Sequence, residues 1–422
     1  MIAPSHPPGF GVRLSVALGA LLSGCNVTPA TTTGGADLPS RGDCARGIAV
    51  VSSDFVSSEV ALLGPSGDVK SAAFLSSAST AASGLAAPFS GDISVAPSPS
   101  RPGELVVVDR FGTNVLSFVS TETAEVRAQL PVGTGFEANP QGYLELNEHL
   151  AFVPRLGENA AAGREPFDFG SDLLVIDPSL PSIMGSLAMP RKDGYLPTPA
   201  AVMRLGDDVL VTLVHASADF SAMAYGELVA FAIVDQSQRY RLPLDGLKNC
   251  GRAELSPSGS LLAVACSGFL DRKGAVADPS GSAIVLLDSS QTPPRELRRF
   301  AAQDLVDGPI QKDLEFVSED LVLVKTQTAL GAAQDNQLFS VDLESGAATL
   351  LAAAAPARDG LGFGIALGGM HCDEGCGDPC LIADASRGKL WRFTARKNAL
   401  SLGDDVVIHG AGLPPGALTP FW

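Results

Sequence analysis

Short apolar runs rich in Val, Ile, Leu and Ala recur along the chain and break at clusters of Gly, Pro, Ser and Asp. One series begins at Val60 (VALL), Val115 (VLSFV), Leu173 (LLVID), Leu228 (LVAFAI), Ile284 (IVLLD), Leu338 (LFSVD) and Leu390 (LWRF). Successive starts lie 52 to 58 residues apart. A second series precedes it, member for member: IAVV at Ile48, LVVVD at Leu105, LAFVP at Leu150, VLVTLV at Val209, LLAVAC at Leu261, LVLVK at Leu321 and LIADA at Leu381. Runs of this length, bounded by turn residues, predict strands. No long segment sustains a 3.6-residue period, which sets helices aside.

Seven units follow, each reading as four antiparallel strands. The fifth is the clearest: Ala253-Glu254-Leu255, a turn at Ser256-Pro257-Ser258-Gly259-Ser260, then LLAVAC, a loop, IVLLD and ELRRF. A four-stranded sheet cannot bury both of its faces alone, whereas neighbours in a ring can. This period therefore predicts an all-β fold, a seven-bladed β-propeller of four-stranded antiparallel blades. The first unit supplies only three strands. The apolar residues after Asp405 are expected to complete it, so that the chain termini close the ring and remove an exposed edge.

The run from Leu255 through Ser256-Pro257-Ser258-Gly259-Ser260 to Ala265 (LSPSGSLLAVA), followed by Gly281 to Asp288 (GSAIVLLD), resembles the YVTN-type repeats of bacterial seven-bladed propellers. The resemblance extends in degenerate form over most of residues 44–410. It implies the fold and leaves the function open, because lactonases, cofactor-dependent oxidoreductases and binding modules share this architecture.

The amino-terminal segment carries an address. Arg13 precedes an apolar stretch from Leu14 to Leu22 that is too short to span a bilayer. Leu22-Ser23-Gly24-Cys25 then resembles the lipobox of bacterial lipoproteins. The resemblance implies cleavage before Cys25, lipid attachment at its thiol and membrane anchoring through acyl chains. Asn26, in place of aspartate, points to the outer membrane. Residues 1–24 are thus read as a signal peptide, residues 25–43, rich in Thr, Gly and Pro, as a tether, and residues 44–422 as the propeller.

Composition narrows the partners. Forty-five glycines and 30 prolines suit many tight turns, and a net charge of −17 repels phosphate backbones. Nucleic acid is therefore excluded, and the membrane is met only through the lipid. No nucleophile elbow, phosphate-binding loop or calcium loop occurs, and the sequence leaves the cofactor unknown. His149, His215, His371 and His409 each adjoin apolar strand residues and read as packed or surface histidines.

Six cysteines remain after Cys25, an even count that suits an oxidising space. Cys250 and Cys266 are equidistant from Ser258, so an unbulged hairpin sets them opposite each other within disulfide range. Cys44, Cys372, Cys376 and Cys380 leave three pairings open. A bond from Cys44 to one of the other three would clamp the first unit to the seventh. The segment from His371 to Cys380 also offers metal ligands, but its three-residue gaps suit a stapled loop better than a zinc site.

Connections between the second and third strands are long in units three to six, at residues 156–171, 216–226, 268–281 and 327–336. Strand alternation puts them on one face of the ring, where insertions often build binding surfaces. They carry Phe167, Phe169, Phe220, Tyr225, Phe269, Asp271 and Arg272, and aromatic residues with Arg suit recognition. The expectation is a membrane-anchored module that binds a protein, peptide or glycan at the cell envelope. The alternatives are a propeller enzyme using channel-facing carboxylates, of the lactonase or cofactor-dependent oxidoreductase type, and an envelope scaffold without a small ligand.

Overall fold

The computed structural model describes residues 44–78, 83–270, 276–306, 308–327, 336–355, 366–372, 379–396, 399–408 and 412–422. The predicted signal peptide, Cys25 and the tether lie outside them, as do Asp271, Arg272, Cys376 and His409. Among the described residues no helix is long and apolar enough to cross a membrane, and the helix described, Ala302–Val306, is a single turn.

The chain forms seven antiparallel sheets arranged as blades of a closed ring. Strands are lettered A to D from the channel outward. In six blades A to D follow in chain order, as in the fifth, Cys250–Leu255, Leu261–Leu270, Val276–Asp288 and Arg295–Ala301. The first blade takes its strands B to D from Gly47–Ser53, Ser58–Leu63 and Val69–Ser76, and its strand A from the far end of the chain, Pro415–Phe421. The register runs from Gly47 opposite Phe421 to Ser52 opposite Pro415. The expected closure by the C-terminus is therefore present.

Both faces of each blade are buried, which is why strands B and C read as continuous apolar runs rather than alternating ones. Along the first strand B, Ile48 and Val50 pack with Leu381 and Ala383 of the seventh blade. Ala49 and Val51 point the other way, into Val95, Leu105 and Val107 of the second. Seven apolar clusters of this kind fill the seven seams between neighbouring blades. Outer D strands such as Gln238–Pro243 are largely exposed and polar.

The A strands crowd together around the channel, and glycine permits their closest approaches. A Cβ on Gly251 would stand 1.7 Å from the Lys312 carbonyl oxygen on the next blade, and one on Gly368 would stand 2.3 Å from the Gly416 oxygen. Five A strands also break register toward the same end of the channel: at Pro199/Ala201, Cys250/Ala253, Ile310/Leu314 and Leu367/Met370, and, in the closing strand, where Val51 and Ser52 pair with Ala417 and Pro415. Such bulges kink a strand and re-aim its side chains.

Candidate functional site

Antiparallel order places all B–C loops and D–A connections on one face of the ring, called here the B–C face. The predicted aromatic residues divide there into two groups. Phe169, Phe220 and Tyr225 are exposed on the loops of the third and fourth blades. Phe167 is half-buried, packed against the seam between the second and third blades. Phe269 is also half-buried and lies within a strand rather than a loop. The expected loop at 268–281 is mostly a two-stranded ribbon, in which Phe269 pairs with Asp278 and Leu270 with Val276.

Two aromatics escaped the sequence reading because the loops carrying them are short. Phe55 lies in the B–C loop of the first blade and Phe111 in that of the second. With them, every exposed Phe, Tyr or Trp among the described residues falls on a B–C loop, each 40% to 63% accessible. Four adjoining blades thus present aromatic side chains to one side of the molecule.

These loops are held in place. Phe55, Phe167 and Phe220 have φ of 66°, 58° and 54°, a left-handed conformation unfavourable for bulky side chains unless the surroundings enforce it. At Phe167 the enforcement comes from Arg155, which is fully buried. Its Nη2 donates to the Phe167 carbonyl at 2.6 Å. Its Nε and Nη2 form a fork on Asp172 at 2.8 and 2.7 Å, and Nη1 reaches the Val132 carbonyl and Thr134 Oγ1. All five N–H donors of the guanidinium are satisfied. Asp168 gathers the same loop by accepting from the backbone N–H groups of Gly163, Arg164 and Glu165, which hold its carboxyl below the usual range.

A second device recurs where strand C begins. Ser58, Asn114, Ser171, Ser282 and Asn336 are all buried, and each hydrogen-bonds the connection leading to the next blade. Asn114 Oδ1 accepts from Ala138 and Asn139 N–H, and Asn336 Oδ1 from Ala366 and Leu367 N–H. Ser171 and Ser282 accept from Thr198 and Ile310 N–H, and Ser58 donates to the Ser90 carbonyl. In five of the seven blades one polar residue thereby ties the rim of the B–C face to its neighbour.

In the fourth blade this position belongs to Glu227. Burial alone would raise its carboxyl, but the His215 Nε2 contact at 3.1 Å and the Arg241 fork at 2.7 and 2.8 Å outweigh it and bring it to about 2. His215 Nδ1 is buried without a partner. Tyr225 stands between two lysines, with Lys192 Nζ donating to its carbonyl at 2.6 Å and Lys248 Nζ 5.8 Å from its ring centre. Beside Phe167 and Phe169 opens a cavity of about 400 Å³, lined also by Asp172, Ser186, Met189 and the Arg191–Glu158 ion pair. That size suits a small molecule or a partner's side chain.

Cysteine cross-links stand on both faces, Cys372–Cys380 on the A–B side and Cys250–Cys266 at the B–C end of the fifth blade. Cys372 and Cys380 are bonded, with S–S 2.05 Å, across the A–B connection of the seventh blade. Neither is therefore the partner of Cys44, which is itself in disulfide linkage to a residue outside those described. Cys250 and Cys266 are paired in register and bonded, with S–S 2.06 Å. Among the described residues no group of three or more His, Cys, Asp or Glu is placed to hold a metal ion.

No protein-family model and no curated protein sequence matches the chain. Solved structures do. A protein from Lactobacillus plantarum aligns with TM-score 0.56 at 11% identity, over 89% of this chain and 98% of its own. A putative 6-phosphogluconolactonase from Bacteroides uniformis aligns with TM-score 0.54 at 12% identity, over 89% and 99%. Dihydro-heme d1 dehydrogenase NirN aligns with TM-score 0.50 at 13% identity, over 92% and 78%. At such identities the likeness establishes the seven-bladed propeller and carries no activity with it.

Proposed function

We propose that this chain is an exported, lipid-anchored propeller that binds a protein, peptide or glycan partner at the cell envelope, using the B–C face as its recognition surface. The observation that carries this reading is the confinement of the exposed aromatic side chains to the B–C loops of four adjoining blades. Such residues supply much of the energy at interfaces. Loops fixed beforehand by Arg155, Asp168, Asn114 and Ser171 spare the ordering cost that flexible loops incur on binding. The disulfides support an oxidising compartment, and Leu22-Ser23-Gly24-Cys25 supports an anchor in the outer membrane.

The test is comparative panning of the exported protein against immobilised glycan and peptide libraries. One variant carries Phe111→Ala, Phe169→Ala and Phe220→Ala; the control carries Leu180→Ala and Val234→Ala on the opposite face. Ligands retained by the wild type and the control but lost by the first variant establish the surface. Retention by both variants, with both folded, overturns it. Release of a Cys25→Ser variant from membranes, together with loss of its lipid label, tests the anchor separately.

A further inference from the structure

The register break in strand A of the sixth blade puts Gln311, Lys312 and Asp313 between two buried anchors, Ile310 and Leu314. Lys312 is the exposed residue among the three, and its backbone is wedged against Gly251 of the fifth blade. Exposed side chains on an innermost strand reach water through the channel. In the first, fourth and seventh blades the equivalent breaks present the small residues Gly416, Ala200, Gly368 and Gly369, and in the fifth Gly251 and the exposed Arg252, whose Nε lies 3.9 Å from Glu254.

Arg110 enters from the other side. It follows strand B of the second blade and acts electrostatically on Lys312 of the sixth. Two other blades separate them along the shorter arc of the ring, so the charge of Arg110 is felt at Lys312 across the channel. Burial within the ring and then the charge of Arg110 hold the Lys312 ammonium below the usual lysine range, with Asp313 opposing them. The neighbouring carboxylates are committed elsewhere. Asp92 pairs with Arg110, and Asp313 pairs with the buried Lys325 at 2.6 Å. Asp109 is buried on the other side of its strand, where Oδ2 accepts from Ser90 N–H and Oδ1 has no partner. Among the described residues the Lys312 ammonium makes no hydrogen bond or ion pair, and Arg110 Nε is buried without a partner.

Lys312 and the unpartnered Nε of Arg110, which Asp92 pairs only through Nη2, leave donors on opposite sides of the channel that an anion between them would satisfy. We propose that the channel mouth on the B–C face is a binding site for a single oxyanion group, a carboxylate or a phosphate, received by Lys312 and Arg110. Within the function proposed above, this site would take an acidic end or side group of the bound partner. A free anion tests it whether or not a partner is found.

Inorganic phosphate and succinate are titrated calorimetrically into the intact protein at constant ionic strength set with chloride. Saturable 1:1 binding of at least one is expected, and the preferred anion distinguishes a phosphate-bearing from a carboxylate-bearing ligand. Lys312→Met weakens binding at least about tenfold, in line with the loss of one charge-assisted hydrogen bond. Lys312→Arg keeps it within about threefold, and Lys70→Met on the outer rim leaves it unchanged. After reductive ¹³C-dimethylation, the lysine resonance missing from Lys312→Arg titrates at higher pH with the anion present than without it. Absence of saturable binding of both anions overturns the proposal. So does equal binding by a folded Lys312→Met variant, or a Lys312 titration that ignores the anion. Should Lys312→Met fail to fold, Lys312→Arg and the resonance decide.

Discussion

Replacing Arg155 with Met tests whether the aromatic rim is held by charge pairing beneath it. The substitution keeps most of the buried volume but removes five hydrogen bonds. It leaves the carboxylate of Asp172, which is 3% exposed, with the Ser186 hydroxyl at 2.6 Å as its side-chain donor. Breaking a buried pair from one side costs about 3–5 kcal/mol, because the surviving charge is left uncompensated. The carbonyls of Val132 and Phe167 lose their donor as well. Urea unfolding followed by tryptophan fluorescence and circular dichroism should show this loss with an unchanged slope. Adding Asp172→Leu removes the stranded carboxylate, so Arg155→Met/Asp172→Leu should be more stable than Arg155→Met alone. A loss under about 1 kcal/mol in the single variant, or strictly additive losses in the pair, would refute the account of the rim.

Three further outcomes follow from the same geometry. The Glu227 carboxyl titrates at about 2 when folded against an ordinary 4.5, so its stabilisation is present above pH 4.5 and lost as pH falls toward 2; the gap is about 3 kcal/mol. Denaturation profiles from pH 7 to 2 should therefore be flatter for Glu227→Gln, which is already weakened at neutral pH, and parallel profiles would contradict the assignment. Replacing both Cys250 and Cys266 by Ala should cost about 3 kcal/mol under non-reducing conditions, the loop-closure value for a 16-residue separation; equal unfolding midpoints would remove the bond from the stability account. Gly251→Ala drives a Cβ into the Lys312 carbonyl and should destabilise by more than about 2 kcal/mol, whereas Gly259→Ala, in an open turn, costs less by chevron or equilibrium measurement.

The blades were legible in the sequence because burying both faces of a sheet writes an apolar run that no helix period imitates. The ring closure was legible for a related reason: a unit with three strands demands a fourth, and apolar residues remain after Asp405. Single-residue geometry was not. Cys250 does face Cys266, but not through an unbulged hairpin centred on Ser258. Ala253 pairs with Val264, which centres the turn half a residue later, and the bulge at Gly251 and Arg252 restores the cysteines to register. The ties at Ser58, Asn114, Ser171, Ser282 and Asn336 are single letters at the edges of apolar runs, and their partners lie 24 to 32 residues away. Phe55 and Phe111 went unnoticed because loop length served as the signal for a binding face, whereas exposure of an aromatic ring is the more direct one. Lys312 is marked by no motif; only the bulge and the opposing blade give it meaning.

The two faces of the ring divide the work between them. Turns on the A–B side carry the Cys372–Cys380 bond and, among the described residues, no exposed aromatic ring. Loops on the B–C side hold three phenylalanines in left-handed conformations, each costing about 1–3 kcal/mol of strain. Glycine or asparagine at these positions would relieve that strain, so stability alone does not account for phenylalanine there. The strain persists because Arg155 and the loops' own hydrogen bonds over-determine the backbone, and its effect is to fix where Phe55, Phe167 and Phe220 project before any partner arrives. A rigid aromatic rim around a mouth containing Lys312 and Arg110 favours a partner with an apolar periphery and one acidic group near its centre. Charge on the rim alone would set the rate of encounter, whereas a charge buried at the centre sets the orientation in which the partner can dwell.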